Sequence, residues 1–251
     1  MKSLMLKAAR KAGKASLRYY GNVGKLKYKE PRSIVTKADI LSEKIIMEAV
    51  RKKFPSHSFL TEESGQIKKD SEYLWIVDPI DGTTNFVSGL GNFAVCIALA
   101  KNNEVLMGAV YDPCPDNMYF AEKGKGAFLN NKKIRVSKKK ELKDVILAFN
   151  LPSNEKISSD TLILLSKIYG NFRGIRNFGA AALNMCYLAE GKFDAYFTKS
   201  IKAWDVAAAK LIVEEAGGKV TNFDGGKWEL KDTQIIASNK NLHNQLMASL
   251  K

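Results

Sequence analysis

The first part of the chain has apolar residues at every third or fourth position, which is the spacing of one buried helix face. This pattern predicts helices over residues 3–20 and about 38–54. Gly21 and Gly24 end the first helix, since glycine is common just beyond a helix end. Between the helices, residues 25–37 are polar and basic, and we predict a loop or a loose hairpin there.

From residue 59 onward the apolar stretches become short, which is typical of strands. Two of them flank Asn102 and Asn103, and this pair predicts a hairpin. The predicted strands cover residues 59–60, 74–77, 93–100, 104–111, 118–121 and 134–136.

Beyond residue 140, predicted strands alternate with predicted helices, the order typical of an α/β unit. The strands cover residues 145–149, 172–175 and 195–197, and the helices cover 159–169, 180–190 and 206–216. The lysine-rich segment 138–143 is the predicted boundary. We therefore expect an α/β protein with an α+β N-terminal half, residues 1–140, and an α/β C-terminal half, residues 141–251, packed as one compact unit.

The composition is that of an ordinary globular protein, with 45% hydrophobic residues in a chain of 251. No apolar run approaches the ~20 residues that span a bilayer, and the N-terminal apolar stretch is too short for a secretory signal. Cys96 and Cys186 lie in apolar patterns, so we expect both to be buried and reduced. These features predict a cytoplasmic protein with no membrane partner.

The formal net charge of +14 has two explanations. One is a nucleic-acid face, for which the basic cluster of residues 132–143 is the candidate. However, lysine is spread along the whole chain, and no aromatic residues interleave with the cluster as they do on a base-stacking surface. A solvated lysine-rich surface is therefore favoured over a nucleic-acid partner, although a positive surface would still attract phosphorylated substrates.

The most informative segment, residues 75–86, reads Trp-Ile-Val-Asp-Pro-Ile-Asp-Gly-Thr-Thr-Asn-Phe. A buried strand that ends just before Asp78 would bring this carboxylate to the edge of a sheet, and Pro79 would direct Asp81 toward the same point. Two carboxylates around one point are a site for Mg²⁺ or a similar cation. The alternative is a strand followed by an ordinary Asp/Gly turn.

Gly82 and Thr83 come next and offer backbone N–H groups at a predicted helix start, which suits a phosphate. Metal and phosphate together indicate phosphoryl chemistry. Other phosphatase designs are excluded, because no cysteine has an arginine six positions later and the two aspartates are not spaced as Asp-x-Asp. With only His57 and His243, a histidine-rich zinc centre is also excluded.

Three segments of the chain resemble the inositol monophosphatase family: residues 75–86, residues 55–64, and the stretch from Trp204 to Gly218. They occur in the family's order, and the resemblance extends over nearly the whole chain. It implies a layered α-β-α-β-α sandwich with the active site between the halves. It also implies a lithium-sensitive, homodimeric Mg²⁺-dependent phosphatase that hydrolyses inositol monophosphate and related small polyol or sugar phosphates by direct attack of metal-activated water.

The resemblance assigns roles to individual residues. It implies two or three Mg²⁺ ions, for which Mn²⁺ is an alternative. The implied metal ligands are Glu62, Asp78, the Ile80 carbonyl, Asp81 and Asp205, with Asp39 near a third, weaker position. The implied catalytic residues are Glu62, Asp81 and Thr83, of which Thr83 orients the attacking water and Glu62 helps as a base.

Each of these residues also has a simpler interpretation. Asp205 and Thr83 are typical helix N-caps, Glu62 is a typical solvated loop charge, and Asp39 suits the start of a helix. These interpretations weaken when four carboxylates share one centre, because the carboxylates would repel one another strongly without cations.

The residues that would select a substrate are less clear. The implied contacts are Gly82, Thr83, Gly179, Ala180, Ala181, Thr198, Lys199 and Asp205. In the animal enzymes of the family an acidic residue at the position of Thr198 holds two inositol hydroxyls, so we expect relaxed inositol selectivity here. Lys199 and Lys202 could instead contact a second phosphate.

Three functions therefore stay open. The first is the phosphatase of inositol and related phosphates. The second is the same chemistry on fructose 1,6-bisphosphate, alone or as a dual enzyme, or on histidinol phosphate or 3′-phosphoadenosine 5′-phosphate. The third is an RNA- or transcription-associated binding protein, for which the basic cluster is the support. The complete acidic set favours a working enzyme.

Overall fold

The structure is a computed structural model that describes residues 1–24, 27–30 and 33–250. Part of the predicted loop between the first two helices, at positions 25, 26, 31 and 32, lies outside the described residues. Within the described ranges, no helix combines the length and the apolar composition needed to cross a bilayer.

The predicted N-terminal helices are confirmed. Helix α1 spans Lys2–Ser16 and continues into a 3₁₀ turn at Leu17–Tyr19, and helix α2 spans Lys37–Lys53. The predicted loose hairpin between them is present as two antiparallel strands, β1 (Lys27–Glu30) and β2 (Ser33–Val35).

An eight-stranded sheet follows. Its strands are β3 (Ser58–Thr61), β4 (Gly65–Ile67), β5 (Tyr73–Asp81), β6 (Ala94–Lys101), β7 (Glu104–Asp112), β8 (Asn117–Glu122), β9 (Ala127–Leu129) and β10 (Lys132–Lys133). They lie in the order β10-β9-β8-β7-β6-β5-β3-β4, and only β3 and β5 pair in parallel. The hairpin at Asn102 and Asn103 is confirmed, and both residues have the positive φ (49° and 64°) that a two-residue hairpin turn requires.

Two strand predictions need correction. The strand predicted at residues 134–136 is wrong, because β10 ends at Lys133 and only the Ile134 N–H continues the pairing, to the Ala127 carbonyl at 3.0 Å. Strand β5 does not end before Asp78 but runs on to Asp81, with a register shift against β6 between these two aspartates. Strand β4 was not predicted, since its three residues are too few to show an alternating pattern.

The C-terminal half forms a five-stranded sheet with helices between the strands. Its elements are β11 (Ile146–Phe149), α4 (Glu155–Ile168), β12 (Gly174–Arg176), α5 (Ala181–Ala189), β13 (Ala195–Thr198), α6 (Ala203–Glu215), β14 (Gly218–Thr221), β15 (Ile235–Asn239) and α7 (His243–Ser249). The strand order is β12-β11-β13-β15-β14, with β11 parallel to both of its neighbours. The alternating elements were predicted, whereas β14, β15 and α7 were not. The boundary near residue 140 falls between β10 and β11 and stays a prediction.

Five layers result from the alternation of apolar side chains along the strands. In β5, Trp75 and Val77 face α1 and α2, while Ile76 faces α5 and α6 on the other side of the large sheet. In β13, Tyr196 faces the same pair of helices, while Ala195 and Phe197 pack toward α4 and α7. The arrangement is the α-β-α-β-α sandwich that the resemblance implied.

Helix α6 of the C-terminal half touches the large sheet at Gly108 of β7. A Cβ atom at this glycine would lie 2.6 Å from the Ala208 carbonyl oxygen and 2.9 Å from the Ala208 Cα atom, both of them backbone atoms of α6. Alanine also occupies positions 207 and 209, so the helix presents small side chains where it meets the sheet. This contact brings the N-terminus of α6 toward the end of β5.

His243, at the start of α7, is fully buried. Its Nε2 lies 2.9 Å from the Thr221 hydroxyl oxygen, and its Nδ1 lies 2.9 Å from the Ser238 hydroxyl oxygen. Burial lowers the pKa of this imidazole from 6.5 to about 4, with a smaller effect of Lys219 in the same direction. The neutral ring therefore joins β14, β15 and α7.

Replacing Gly108 with alanine should lower the free energy of unfolding by roughly 1–3 kcal/mol, the usual effect of overpacking a tight contact. Urea denaturation measures this change. The matched control is Gly170→Ala, where a Cβ atom would meet nothing within 4 Å. Equal stability of the two variants would contradict the close packing of α6 on β7.

The free energy of unfolding should fall on acidification, because His243 is neutral in the folded state and its protonated form is disfavoured there. Since its folded pKa lies below the unfolded value, the unfolded chain takes up the proton first, and up to about 3 kcal/mol is lost between pH 6.5 and pH 4. Replacing His243 with glutamine removes the titrating group. Urea denaturation across this range should therefore show a steeper decline for the wild type, and parallel curves would contradict the prediction.

Candidate active site

The end of β5 places Asp81 in the lining of a cavity and Asp78 beneath it. The register shift between Asp78 and Asp81 lets the Ile80 N–H donate to Asp78 Oδ1 at 2.9 Å. Ser42 of α2 donates to the Pro79 carbonyl at 2.9 Å and holds the bend from outside. These two hydrogen bonds fix the backbone conformation at the end of β5.

Gly82 turns the chain directly after Asp81. Its φ of 85° lies in the left-handed region, and a Cβ atom there would lie 3.0 Å from the Asn92 carbonyl oxygen. Helix α3 (Thr83–Val87) begins at the next residue. Gly82 is therefore the N-cap, so the interpretation of Thr83 as an N-cap is wrong.

Thr83 lines the cavity and donates its hydroxyl hydrogen to the Ile80 carbonyl at 2.9 Å. A hydroxyl has one donor and two acceptor lone pairs. Because the donor is already used, the Thr83 oxygen can only accept a hydrogen bond from a molecule in the cavity.

Asp81 connects the two halves of the chain. One carboxylate oxygen accepts the Ala181 N–H at 3.0 Å, and the other accepts the Ala182 N–H at 2.8 Å. Both N–H groups belong to the first turn of α5, where the helix has no backbone acceptors of its own. A carboxylate from the N-terminal half therefore satisfies a helix of the C-terminal half.

Asp205 belongs to the C-terminal half and is the third residue of α6. Its carboxylate accepts the Lys202 N–H at 2.8 Å, so it caps the helix from within the first turn. The interpretation of Asp205 as the N-cap before Val206 is therefore wrong. Asp39 of α2 has the same local role, since its carboxylate accepts the Thr36 N–H at 2.8 Å and the Thr36 hydroxyl at 2.6 Å.

The cavity between the halves has a volume of about 410 Å³. Its acidic lining residues are Glu62, Asp81 and Asp205, and Gly82, Thr83, Gly179, Ala181 and Lys202 also line it. Asp78 lies beneath this lining, only 2% exposed, and is hydrogen-bonded to Glu62. The Glu62 backbone N–H donates to the Val77 carbonyl at 3.2 Å, which holds this segment against β5.

The acidic groups disfavour their own ionisation. Burial raises the pKa of Asp78 well above its usual value, and the neighbouring carboxylates of Glu62, Asp81 and Asp205 raise it further. Burial also raises the pKa of Asp81 to about 7, although the α5 N–H groups oppose the shift. Asp205 is partly exposed at the cavity surface, yet enough protein surrounds it that burial raises its pKa to about 8.

This donor set fits a hard divalent cation, because oxygen atoms of carboxylates and a carbonyl are the preferred ligands of Mg²⁺. In the described part of the chain, no three acidic, histidine or cysteine side chains already stand at metal-binding spacing. A bound divalent cation would offset the mutual repulsion of these carboxylates.

The sequence-predicted substrate residues divide into two groups. Gly179 and Ala181 line the cavity, with Ala180 buried beside them. Thr198 is fully buried and is not among the described lining residues, and Lys199 lies with its Nζ 5.9 Å from the centre of the Phe223 ring. Lys202, by contrast, lines the cavity.

Sequence reasoning missed a clamp at the edge of the cavity. Asn85 Nδ2 donates to the Phe178 carbonyl at 2.6 Å and to the Asn92 carbonyl at 2.8 Å, and Asn92 Nδ2 donates to the same Phe178 carbonyl at 2.9 Å. Tyr187 of α5 donates to Asn92 Oδ1 at 3.0 Å. The clamp holds the segment before Gly179 against α3, and the presence of Asn85 within the motif of residues 75–86 was its one sequence signal.

Comparison with known proteins places the chain in a family. The profile of the "Inositol monophosphatase family" matches residues 1–251. A Mesorhizobium japonicum protein named inositol-1-monophosphatase is 36% identical over 99% of this chain and 95% of its own length. A Haemophilus influenzae protein named Nus factor SuhB is 40% identical over 95% of this chain and 91% of its own length.

A solved structure agrees with both relatives. The extragenic suppressor protein SuhB of Bartonella henselae superimposes with a TM-score of 0.95 at 40% identity, covering 100% of this chain and 98% of that one. Fold, acidic cavity and whole-length similarity lead to one conclusion: the chain belongs to the inositol monophosphatase family of metal-dependent phosphatases.

Proposed function

We propose that this protein is a Mg²⁺-dependent phosphomonoesterase that hydrolyses inositol monophosphate and related small polyol or sugar phosphates. The observation that carries the proposal is the group of Glu62, Asp78, Asp81 and Asp205 at one cavity, three of them with raised pKa values. Such a group is stable in its ionised form only with bound cations.

The residues that would hold Mg²⁺ are Glu62, Asp78, Asp81, Asp205 and the Ile80 carbonyl, and Asp39 stays a candidate near a third ion. When bound, Mg²⁺ supplies a lowered pKa for the attacking water and charge neutralisation on the phosphate and the leaving oxygen. Hard oxygen ligands would also accept Mn²⁺.

The protein's own groups position the substrate and the water. The N–H groups of Gly82 and Thr83 lie at the start of α3, before its first internal hydrogen bond from Phe86 to Gly82, and can donate to phosphate oxygens. Thr83 accepts a hydrogen bond from the water, because its own hydrogen is held by Ile80. Glu62 lines the same cavity and receives the proton that the water loses.

On the leaving-group side, Asp205 lies beside Lys202 and can accept from a substrate hydroxyl, as can the Asp81 carboxylate. The segment from Gly179 to Ala181 supplies backbone groups, and the clamp from Asn85 to the Phe178 carbonyl sets its position. Correct placement of the phosphate, the water and the alcohol then contributes much of the rate.

A second candidate is a transcription-associated role, favoured by the relatives named Nus factor SuhB. The basic cluster of residues 132–143 gives it limited support, because Lys139 is engaged by Asp194 at 2.9 Å. Binding of the purified protein to RNA, measured against salt concentration, tests the role. Retention only at very low salt, with no preference for sequence, would count against it. The implied lithium sensitivity and homodimer stay predictions.

Replacing Asp205 with asparagine should lower phosphate release by roughly 100-fold or more, because a charge that balances the cations is lost. Asparagine retains an oxygen for the Lys202 N–H, so the fold should persist. Wild-type protein should also melt at higher temperature as Mg²⁺ is added, and the variant should respond less.

The matched control is Asp144→Asn, since Asp144 is exposed and lies outside the cavity. Full turnover of the wild type in a chelator, or unchanged turnover of a folded Asp205→Asn protein, would contradict the proposed metal centre.

A further inference from the structure

Two neighbouring residues of α2 hold the two segments that carry the N-terminal acidic groups of the site. Ser42 donates to the carbonyl of Pro79, the residue that follows Asp78. Glu43 reaches the turn of residues 62–64, which joins β3 to β4 and begins with Glu62. Both residues of α2 are buried. One helix therefore contacts both acidic segments.

Glu43 uses both of its carboxylate oxygens on this turn. Its Oε2 accepts the Glu63 N–H at 2.9 Å, and its Oε1 accepts the hydroxyl hydrogen of Ser64. The Ser64 N–H in turn donates to the Thr61 hydroxyl oxygen at 3.2 Å. A buried carboxylate is costly to leave without hydrogen-bond partners, so these bonds favour one position of the turn against α2.

The backbone of Glu62 is held on both sides as a result. Its own N–H donates to the Val77 carbonyl of β5 at 3.2 Å. The next peptide group, which links Glu62 to Glu63, donates its N–H to Glu43. Because both adjacent peptide groups are fixed, the Glu62 side chain leaves the backbone in a defined direction, and it lines the cavity.

Helix α2 is itself fixed to β5. Its Ile46 and Met47 belong to the same buried apolar cluster as Trp75 of β5. Met47 lies one helical turn after Glu43, so the residue that holds the turn and a residue that packs on the sheet share one face of α2. Core packing therefore determines where Glu43 stands relative to the aspartates of β5.

The strand that follows the turn is a weaker support. Strand β4 has three residues and lies at the edge of the eight-stranded sheet, where its neighbour is β3. Short elements with few buried contacts open locally at low cost in free energy. The bonds from Glu43 connect the Glu62 turn to a long, well-packed helix instead.

We propose that Glu43 is a positioning residue that sets the affinity of the site for divalent cations by fixing Glu62 relative to Asp78 and Asp81. The inference rests on the proposed metal-dependent function, in which Glu62 is a ligand. Glu43 is not among the described lining residues of the cavity, so it acts through the backbone of the turn. A ligand that is already in place loses less conformational entropy when the cation binds.

Replacing Glu43 with alanine removes both bonds to the turn and should weaken Mg²⁺ binding at least ~10-fold, as is common when a partner of a metal ligand is lost. The melting temperature, recorded over a series of Mg²⁺ concentrations without substrate, measures this affinity. Glu43→Gln keeps an acceptor for the Glu63 N–H, and its amide can donate to the Ser64 oxygen. This variant should therefore retain most of the affinity.

The matched control is Ser58→Ala, at the other end of β3. The Ser58 hydroxyl donates to the Lys69 carbonyl at 3.2 Å and accepts the Lys69 N–H at 3.0 Å, so this variant also removes two hydrogen bonds beside β3 and β4. It should lower the melting temperature without changing the Mg²⁺ affinity. Ser64→Ala removes one bond to Glu43 at an exposed residue, should weaken Mg²⁺ binding to a smaller extent, and decides the question if Glu43→Ala does not fold.

Wild-type Mg²⁺ affinity in Ser64→Ala and in a folded Glu43→Ala protein would overturn the inference while the proposed function stands. Equal losses of affinity in Ser58→Ala and Glu43→Ala would also overturn it, since general destabilisation of the two strands would then explain the result. A wild-type protein that neither binds Mg²⁺ nor releases phosphate would overturn the proposed function and this inference with it.

Discussion

The active site depends on how closely α6 can approach the eight-stranded sheet. At Gly108 the backbones of sheet and helix meet with no room for a side chain, and alanines on α6 permit the same proximity along its length. Asp205 stands at the N-terminus of this helix, so the packing distance of α6 determines its distance from the aspartates of β5. Helix α5 is positioned in the same layer, and its first N–H groups reach Asp81. Hydrophobic packing in the middle layer thus brings acidic groups together that would otherwise repel one another.

That packing has an electrostatic consequence. Asp81 and Asp205, with pKa values of about 7 and 8, bind protons more tightly in the fold than in the unfolded chain. Without a cation, their part of the folding free energy is therefore favourable at low pH and is lost as the pH rises through 7 to 8. A divalent cation bound as proposed would remove this penalty, so metal affinity and stability would be coupled through the same carboxylates. The folded state would then be more stable with its cation than without it.

Sequence patterns predicted most of this architecture, and the family resemblance supplied the acidic set, for identifiable reasons. The helices α1 and α2 and the long strands β6 and β7 have clear periodicity, and residues 75–86 concentrate hard ligands, a proline and a left-handed glycine in one segment. Short elements such as β4 and the late pair β14 and β15 were missed, because three to five residues give too little pattern. The burial of Thr198 could not be predicted. It depends on contacts between β13 and the residue that follows β11, which are distant along the chain.

Asp81 illustrates how a residue can be required twice. Its carboxylate faces the cavity and also satisfies the first turn of α5, so it joins the two halves of the chain whether or not a substrate is ever bound. Among the described residues, in contrast, the Thr83 hydroxyl bonds only to the Ile80 carbonyl, within its own turn. If Thr83 orients the attacking water as proposed, a relative that had given up phosphate chemistry would still need the aspartate to hold its halves together, but not the threonine. Across related sequences, loss of the threonine would then be the better sign of lost catalysis, and the aspartate by itself would report only that the fold is intact.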